Sequence, residues 1–243
     1  RGRGECGRGG RPGKVTPEGA RSSVLVFGSG PAGLEAAWAL CRRGYDVAVA
    51  EAKDVIGGRV TRERQLPGLN AWGRVVDYRD YQLSQRPNVE IYRESPLDAG
   101  SILEFGFENI CISTGSTWRR DGVSRQHVVP MPIAEGAKVY TPDDLMDGTI
   151  PEGRVVVYDD DHYYMGGVLA ELLASKGAQV TLVTPSAYVS DWTNNTLEQV
   201  AIHPRRVEAG VAIVLNRGAQ ETTAGPVVSH CPPTGPTWET APT

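Results

Sequence analysis

The chain has 243 residues, 40% of them hydrophobic and 22% charged, with a formal net charge of −4. This is enough for one large domain or two small ones, and the weak negative charge leaves no overall basic field for nucleic acid or a membrane surface. The four cysteines, Cys6, Cys41, Cys111 and Cys231, are too scattered for a C-x-x-C redox pair or a local zinc or iron–sulfur ligand set.

In chain order, residues 1–21 open with a run of arginine and glycine that has no apolar period. Such a segment is expected to be a disordered tail. Val24 to Phe27 is short, β-branched and uninterrupted, which predicts a buried strand. The turn Gly28-Ser29-Gly30-Pro31-Ala32-Gly33 has G-x-G-x-x-G spacing. A helix rich in alanine and leucine is expected from Pro31 to Arg43, stopped by Gly44. A second strand, Asp46 to Ala50, delivers Glu51 eighteen positions after Gly33.

Each part has a mechanical reason. Gly28 permits a tight turn, Gly30 lets the backbone approach a pyrophosphate, and Gly33 allows close helix–strand packing. The helix start offers unpaired N–H groups and the positive dipole end to phosphates. Glu51 can accept a hydrogen bond from a ribose hydroxyl, and its charge opposes a 2′-phosphate. A G-x-G-x-x-G alone is weak. Between a strand and a helix, with an acid at this distance, it points to an adenine dinucleotide or an ADP-like ligand.

The turn at Gly57-Gly58-Arg59 suits a loop running beside the pyrophosphate, with Arg59 to pair with it. Gly73 to Gln85 predicts a helix with Val75, Val76, Tyr78 and Tyr81 on or near one face, and Val89 to Tyr92 a third strand. Phe107 to Thr114 reads as another strand closing on Thr114-Gly115, where the backbone can pass close to a dinucleotide. Thr141 is the expected N-cap of a short helix from Pro142 to Met146.

A second βαβ unit follows, with strands Arg154 to Tyr158 and Gln179 to Thr184 around a helix Met165 to Ser175. Its turn is Asp159-Asp160-Asp161-His162-Tyr163-Tyr164, acidic where phosphates need bare backbone. We read it as a solvated or helix-capping loop, since consecutive residues on a turn diverge and supply no metal ligand set. His127, His203 and His230 stand without evident catalytic partners. A helix from Thr196 to about Glu208 is weakened by Pro204, and Val211 to Leu215 is a further strand. Residues 218–243, rich in proline and threonine, read as a disordered or unrelated tail.

The fold class is therefore α/β: a Rossmann-like FAD/NAD(P)-binding fold, with two consecutive βαβ halves and a parallel sheet. The first domain spans 22–150 and the second half 151–217, the latter expected not to bind nucleotide. No stretch resembles a signal peptide or membrane span, so a cytoplasmic location with no membrane partner is the expectation.

Residues 22 to about 217 resemble the C-terminal half of the trimethylamine and dimethylamine dehydrogenases and their relatives, histamine dehydrogenase and 2,4-dienoyl-CoA reductase among them. The likeness runs through Val24 to Gly33, Ile56-Gly57-Gly58, Leu66-Pro67-Gly68, Tyr78-Arg79-Asp80-Tyr81 and Ser113-Thr114-Gly115. It continues in Thr141-Pro142-Asp143, Met146-Asp147-Gly148 and Asn195-Thr196-Leu197-Glu198. The resemblance implies the nucleotide-binding portion of a flavoprotein oxidoreductase. Gly28, Ser29, Gly30, Pro31, Ala32, Gly33 and Glu51 would hold FAD or ADP, with Gly58, Arg59, Thr114 and Gly115 nearby. An FMN-bearing barrel and a 4Fe–4S cluster are implied upstream, and an electron-transfer flavoprotein as electron acceptor. On this reading no residue of the chain is catalytic. The alternatives are a stand-alone nucleotide-binding module that docks an electron-transfer partner, and an NAD(P)H-dependent flavin reductase.

Overall fold

The computed structural model describes residues 22–126, 128–222, 227–230 and 237–240. The expected Arg/Gly tail at 1–21, His127, Cys6 and Cys231 lie outside them. The chain divides into two units, Arg1–Arg64 with Ala71–Ser116, and Gln65–Asn70 with Thr117–Thr243. The boundary expected at residue 150 thus falls after Ser116. Residues 117–150 lack regular structure before their short helix but are tied into the second unit. Arg120 pairs with Asp144, and the Gln126 N–H donates to Asp160 Oδ2 at 2.8 Å.

In the first unit, β1 (Ser23–Phe27), α1 (Pro31–Arg43) and β2 (Asp46–Ala50) follow one another without waste. Alanine and leucine favour α1, and Gly44 ends it at φ +98°, where the Tyr45 N–H closes back on the Leu40 carbonyl. Then come α2 (Val60–Glu63), α3 (Gly73–Ser84), β3 (Val89–Tyr92), α4 (Ala99–Glu104) and β4 (Asn109–Ile112). The strands form one parallel sheet in the order β3-β2-β1-β4. Val26, Val47 and Val49 meet Leu34, Ala37 and Cys41 of α1 and Val76 and Leu83 of α3 on one face. On the other face Leu25, Ala48 and Ala50 carry Phe27, Leu97, Ile102 and Phe107.

Two expectations in this unit change. Only Val76 of the four apolar residues expected along α3 is buried; Val75, Tyr78 and Tyr81 face outward. They follow the i, i+3, i+6 row, and the sheet takes the opposite row through Val76 and Leu83. The strand expected over 107–114 pairs only from Asn109 to Ile112, because Phe107 packs under the sheet instead of extending it. β4 ends the strand order, with Ile110 and Ile112 39% and 73% exposed on the face that also carries Leu25 and Phe27.

The second unit holds α5 (Pro142–Met146), β5 (Arg154–Tyr158), α6 (Met165–Ser175), β6 (Gln179–Val183), α7 (Gln199–Glu208) and β7 (Ala212–Val214). Its parallel sheet runs β5-β6-β7. Thr141 and Asp144 form a complete capping box at α5. The helix expected from Thr196 begins later, since Asp191–Thr196 winds as a 3-10 turn and Leu197 adopts φ +63° before α7 starts. Pro204 sits inside α7.

Within 218–243, where a tail was expected, the described residues are strands. β8 (Gly218–Thr222), β9 (Val227–His230) and β10 (Thr237–Thr240) pair as an antiparallel sheet in the order β10-β9-β8. Their threonines and valines suit strands, and the prolines that suggested a tail lie outside the described residues. Among the described residues, no helix is long and apolar enough to cross a membrane.

Candidate functional site

β1 ends at Phe27 and α1 begins at Pro31, so three residues must turn the chain. Gly28 does so at φ +100°, with its N–H donating to the Ala50 carbonyl at 2.9 Å. A Cβ on Gly28 would stand 2.5 Å from the Ser113 carbonyl oxygen, and one on Gly33 would stand 1.9 Å from the Gly28 oxygen. Close packing demands both glycines. Gly30 is different: its φ is −65° and no protein atom lies within 4 Å of the place a Cβ would take. Packing does not ask for glycine there, whereas a ligand approaching the main chain does. No side chain caps α1, so Pro31 and Ala32 begin it with its first N–H groups uncommitted to a cap.

Glu51 is 8% exposed at the end of β2. Its Oε2 accepts the Ser29 N–H at 3.1 Å and the Ser29 hydroxyl at 2.5 Å, and its Oε1 accepts the Lys53 N–H at 3.0 Å. Burial pushes the carboxyl up, but the Ser29 hydroxyl and the N–H groups of Lys53, Ser29 and Ala52 outweigh it, leaving the group below its ordinary value. Ser29 and the first residues after β2 thus hold the carboxylate in place beside the glycine turn.

Ser29 is fully buried, and its carbonyl accepts the Gly57 N–H at 2.9 Å. It thereby fastens the glycine turn both to Glu51 and to the Gly57–Gly58 turn. Gly58 passes so close that its Cβ would lie 3.0 Å from Gly30 Cα. Arg59 donates to the Ser116 carbonyl and lies 3.8 Å from Glu63. The residues singled out in the sequence, Gly28 to Gly33, Glu51, Gly58, Arg59, Thr114 and Gly115, all belong to the first unit. Gly115 bends at φ +79°, and Thr114 Cα lies 3.1 Å from the Gly28 Cβ position.

Ser113, which the sequence marks only as part of Ser113-Thr114-Gly115, has a duty of its own. Its hydroxyl bridges the Phe27 carbonyl at 3.0 Å and the Gly28 carbonyl at 2.8 Å, holding β4 against the turn. The only signal was its place beside Thr114-Gly115.

The second unit repeats the layout with the opposite filling. Asp159 and Asp160 are 2% and 5% exposed, so of the two expectations, a solvated or a helix-capping loop, the solvated one does not hold for this pair. Asp159 Oδ1 accepts the N–H groups of Asp161 at 3.2 Å and His162 at 3.1 Å. The Asp159 side chain also lies against the start of α6, where a Gly166 Cβ would stand 2.5 Å from Asp159 Cγ. Burial pushes the Asp159 carboxyl up to about 6, against the pull of those N–H groups and of His162. His162 Nε2 comes within 3.2 Å of Asp160 Oδ1, so these neighbours converge instead of diverging; φ +66° at His162 turns it back. Among the described residues, no group of three or more His, Cys, Asp or Glu is arranged to hold a metal ion.

Residues 26–91 match the family described as NAD(P)-binding Rossmann-like domain, and residues 140–227 the OYE-like second alpha/beta domain. Dimethylamine dehydrogenase of Hyphomicrobium sp. (strain x) is 32% identical over 231 residues, 92% of this chain and 31% of that protein. Histamine dehydrogenase from Rhizobium sp. 4-9 superposes with a TM-score of 0.91 at 60% identity, over 95% of this chain and 36% of its own. The chain belongs to the trimethylamine/dimethylamine dehydrogenase family. The 6-hydroxypseudooxynicotine amine oxidase of Pseudomonas geniculata N1 superposes at 0.87 with 44% identity, over 94% of this chain and 34% of its own. This is an amine-dehydrogenase-like flavoprotein oxidoreductase family with a nucleotide-binding domain. The chain spans about a third of the length of these relatives. Since the second match reaches residue 227, the family pattern continues through β8, past the point where it was expected to stop.

Proposed function

We propose that the first unit holds the adenosine diphosphate part of FAD, or ADP itself, within an amine-dehydrogenase-like flavoprotein oxidoreductase. The observation that carries this reading is the pairing of a glycine that packing does not need, Gly30, with a buried, lowered carboxylate at the end of the neighbouring strand, Glu51. The first N–H groups of α1 and the Gly57–Gly58 turn would serve the phosphates, and Glu51 a ribose hydroxyl. Ser29, fully buried, positions Glu51 beside the turn. Thr114 and Gly115 border the same turn, and Arg59 stands after Gly58.

Bound FAD supplies electron transfer; bound ADP supplies structure alone. This chain's residues bind and orient, and none acts as acid, base or nucleophile. The second unit keeps the nucleotide fold, but its own Asp159 carboxylate lies where a phosphate would approach α6. A flavin-bearing barrel and a 4Fe–4S cluster would belong to the remaining two thirds of a full-length protein, with electrons leaving to an electron-transfer flavoprotein. Such a protein would work in the cytoplasm.

The chain, purified without added nucleotide and then denatured, should release its ligand for identification by absorbance and mass. Yellow protein releasing FAD supports a flavin site. Colourless protein releasing ADP supports a structural nucleotide. Release of neither, together with no calorimetric binding of added ADP, defeats the reading.

A further inference from the structure

Trp38 lies on the outer side of α1, half-buried against the core. Three guanidinium groups gather on its ring: Arg86 with Cζ 4.8 Å from the centroid, Arg42 at 5.4 Å and Arg79 at 5.5 Å. Arg79 also lies 5.4 Å from the ring of Tyr78, and Arg43 lies 5.9 Å from that of Tyr45. Glu35 meets Arg79. Arg42 and Arg86 form no ion pair among the described residues. Aromatic faces attract cations, but guanidiniums collected on one ring repel one another, so the cluster concentrates positive charge on a chain of net charge −4.

Beside it, α3 turns Val75, Tyr78 and Tyr81 to solvent, 53%, 58% and 67% exposed. Trp, Tyr and Arg are the residue types that carry most binding energy in protein interfaces, since each joins a broad contact area to a polar or charged tip. Helix polarity explains arginines at the end of α1. It does not explain Arg79 within α3, nor the exposed tyrosines.

The cluster is not part of the nucleotide site. Arg42 lies eleven residues beyond Pro31, about 16 Å along the helix axis from the glycine turn. Arg86 likewise precedes β3, at the starting ends of the strands, whereas nucleotides in such folds sit at the carboxyl ends.

We propose that this face docks a protein partner presenting a carboxylate-rich segment. Trp38, Tyr78 and Tyr81 supply the contact area, and Arg42 and Arg86 read the charge, Arg79 being held by Glu35. A short acidic segment feels only the local field, within roughly 8 Å at physiological salt, while a nucleic acid would also meet the chain's overall negative charge. The assignment is independent of which nucleotide the first unit holds.

The test is a fluorescence-anisotropy titration of the full chain with a labelled oligoglutamate peptide, a DNA duplex of equal charge serving as comparison. The peptide should bind at low salt and weaken as salt rises. Arg42→Glu with Arg86→Glu should lower its affinity at least about tenfold. Arg42→Gln with Arg86→Gln should lower it less, and Arg119→Glu in the second unit should leave it unchanged. Circular dichroism and melting of every variant establish that it is folded. Absence of peptide binding, an equal loss in Arg119→Glu, or tighter binding of the duplex than of the peptide would overturn the proposal.

Discussion

Gly30 and Gly33 share one turn for different reasons, and a single methyl group separates them. Gly33→Ala places its Cβ 1.9 Å from a backbone oxygen, so it should destabilise the fold by roughly 3 kcal/mol or more. Gly30→Ala meets no protein atom and should keep stability within about 1 kcal/mol, yet reduce ADP affinity at least tenfold. Urea unfolding and calorimetric titration read the two effects separately; equal loss of stability in both variants would contradict the packing described. The buried carboxyls of Glu51 and Asp159 should respond to pH with opposite signs. Glu51 has a lowered folded value, so its contribution is fully present above about pH 4.5 and is lost as pH falls through the folded value. Glu51→Gln should remove that acid-side loss. Asp159 is raised from 3.8 to about 6, so the fold prefers it protonated and stability declines as pH rises between those values. Asp159→Asn keeps an oxygen for the N–H groups of Asp161 and His162. It should flatten the decline between pH 4 and 6 and add roughly 2–3 kcal/mol at pH 7, read by urea unfolding across that range.

At the scale of single elements, Pro204 offers the cleanest trial. It lies at the sixth position of α7, where its missing N–H leaves the Val200 carbonyl without a helical donor. Pro204→Ala should raise stability by about 1–3 kcal/mol, read as a higher urea midpoint; an unmoved midpoint would contradict a cost at this position. The same helix shows why some elements could be read from the sequence and others not. α1 carries its own start and stop signals, Pro31 and Gly44, and α5 its own start, Thr141 and Pro142, so these bounds are local information. The strands on either side of each acidic or glycine turn are likewise set by short apolar runs. α2 and α4 are four and six residues long, too short for a period, although Asp98 capping the Ser101 N–H was a usable mark for α4. Which row of α3 faces the sheet depends on neighbours distant in the chain. So does the burial of Asp159 and Asp160, which composition alone assigns to solvent. In the candidate site, glycine spacing and the acid at Glu51 were legible. The duties of Ser29 and Ser113 were not, because a serine's role lies in whichever carbonyl or carboxylate the fold brings to it.

For the molecule as a whole, two units with similar plans and different turns imply unequal responses to one ligand. Saturating ADP should slow amide hydrogen exchange in β1, α1 and β2, where ligand binding adds free energy to the opening reaction. The amides of β5, α6 and β6 should keep their rates, given the carboxylate at the head of α6. Slowing confined to the second group would reverse the assignment of the binding unit. The position of β4 has a practical consequence. It closes the described strand order with Ile112 largely uncovered, and such a margin can recruit another chain to extend the ladder. A preparation of this polypeptide by itself should therefore cloud or form soluble multimers as it is concentrated. Light scattering should show Ile112→Lys postponing that onset, a charged gatekeeper set on the open margin of the ladder.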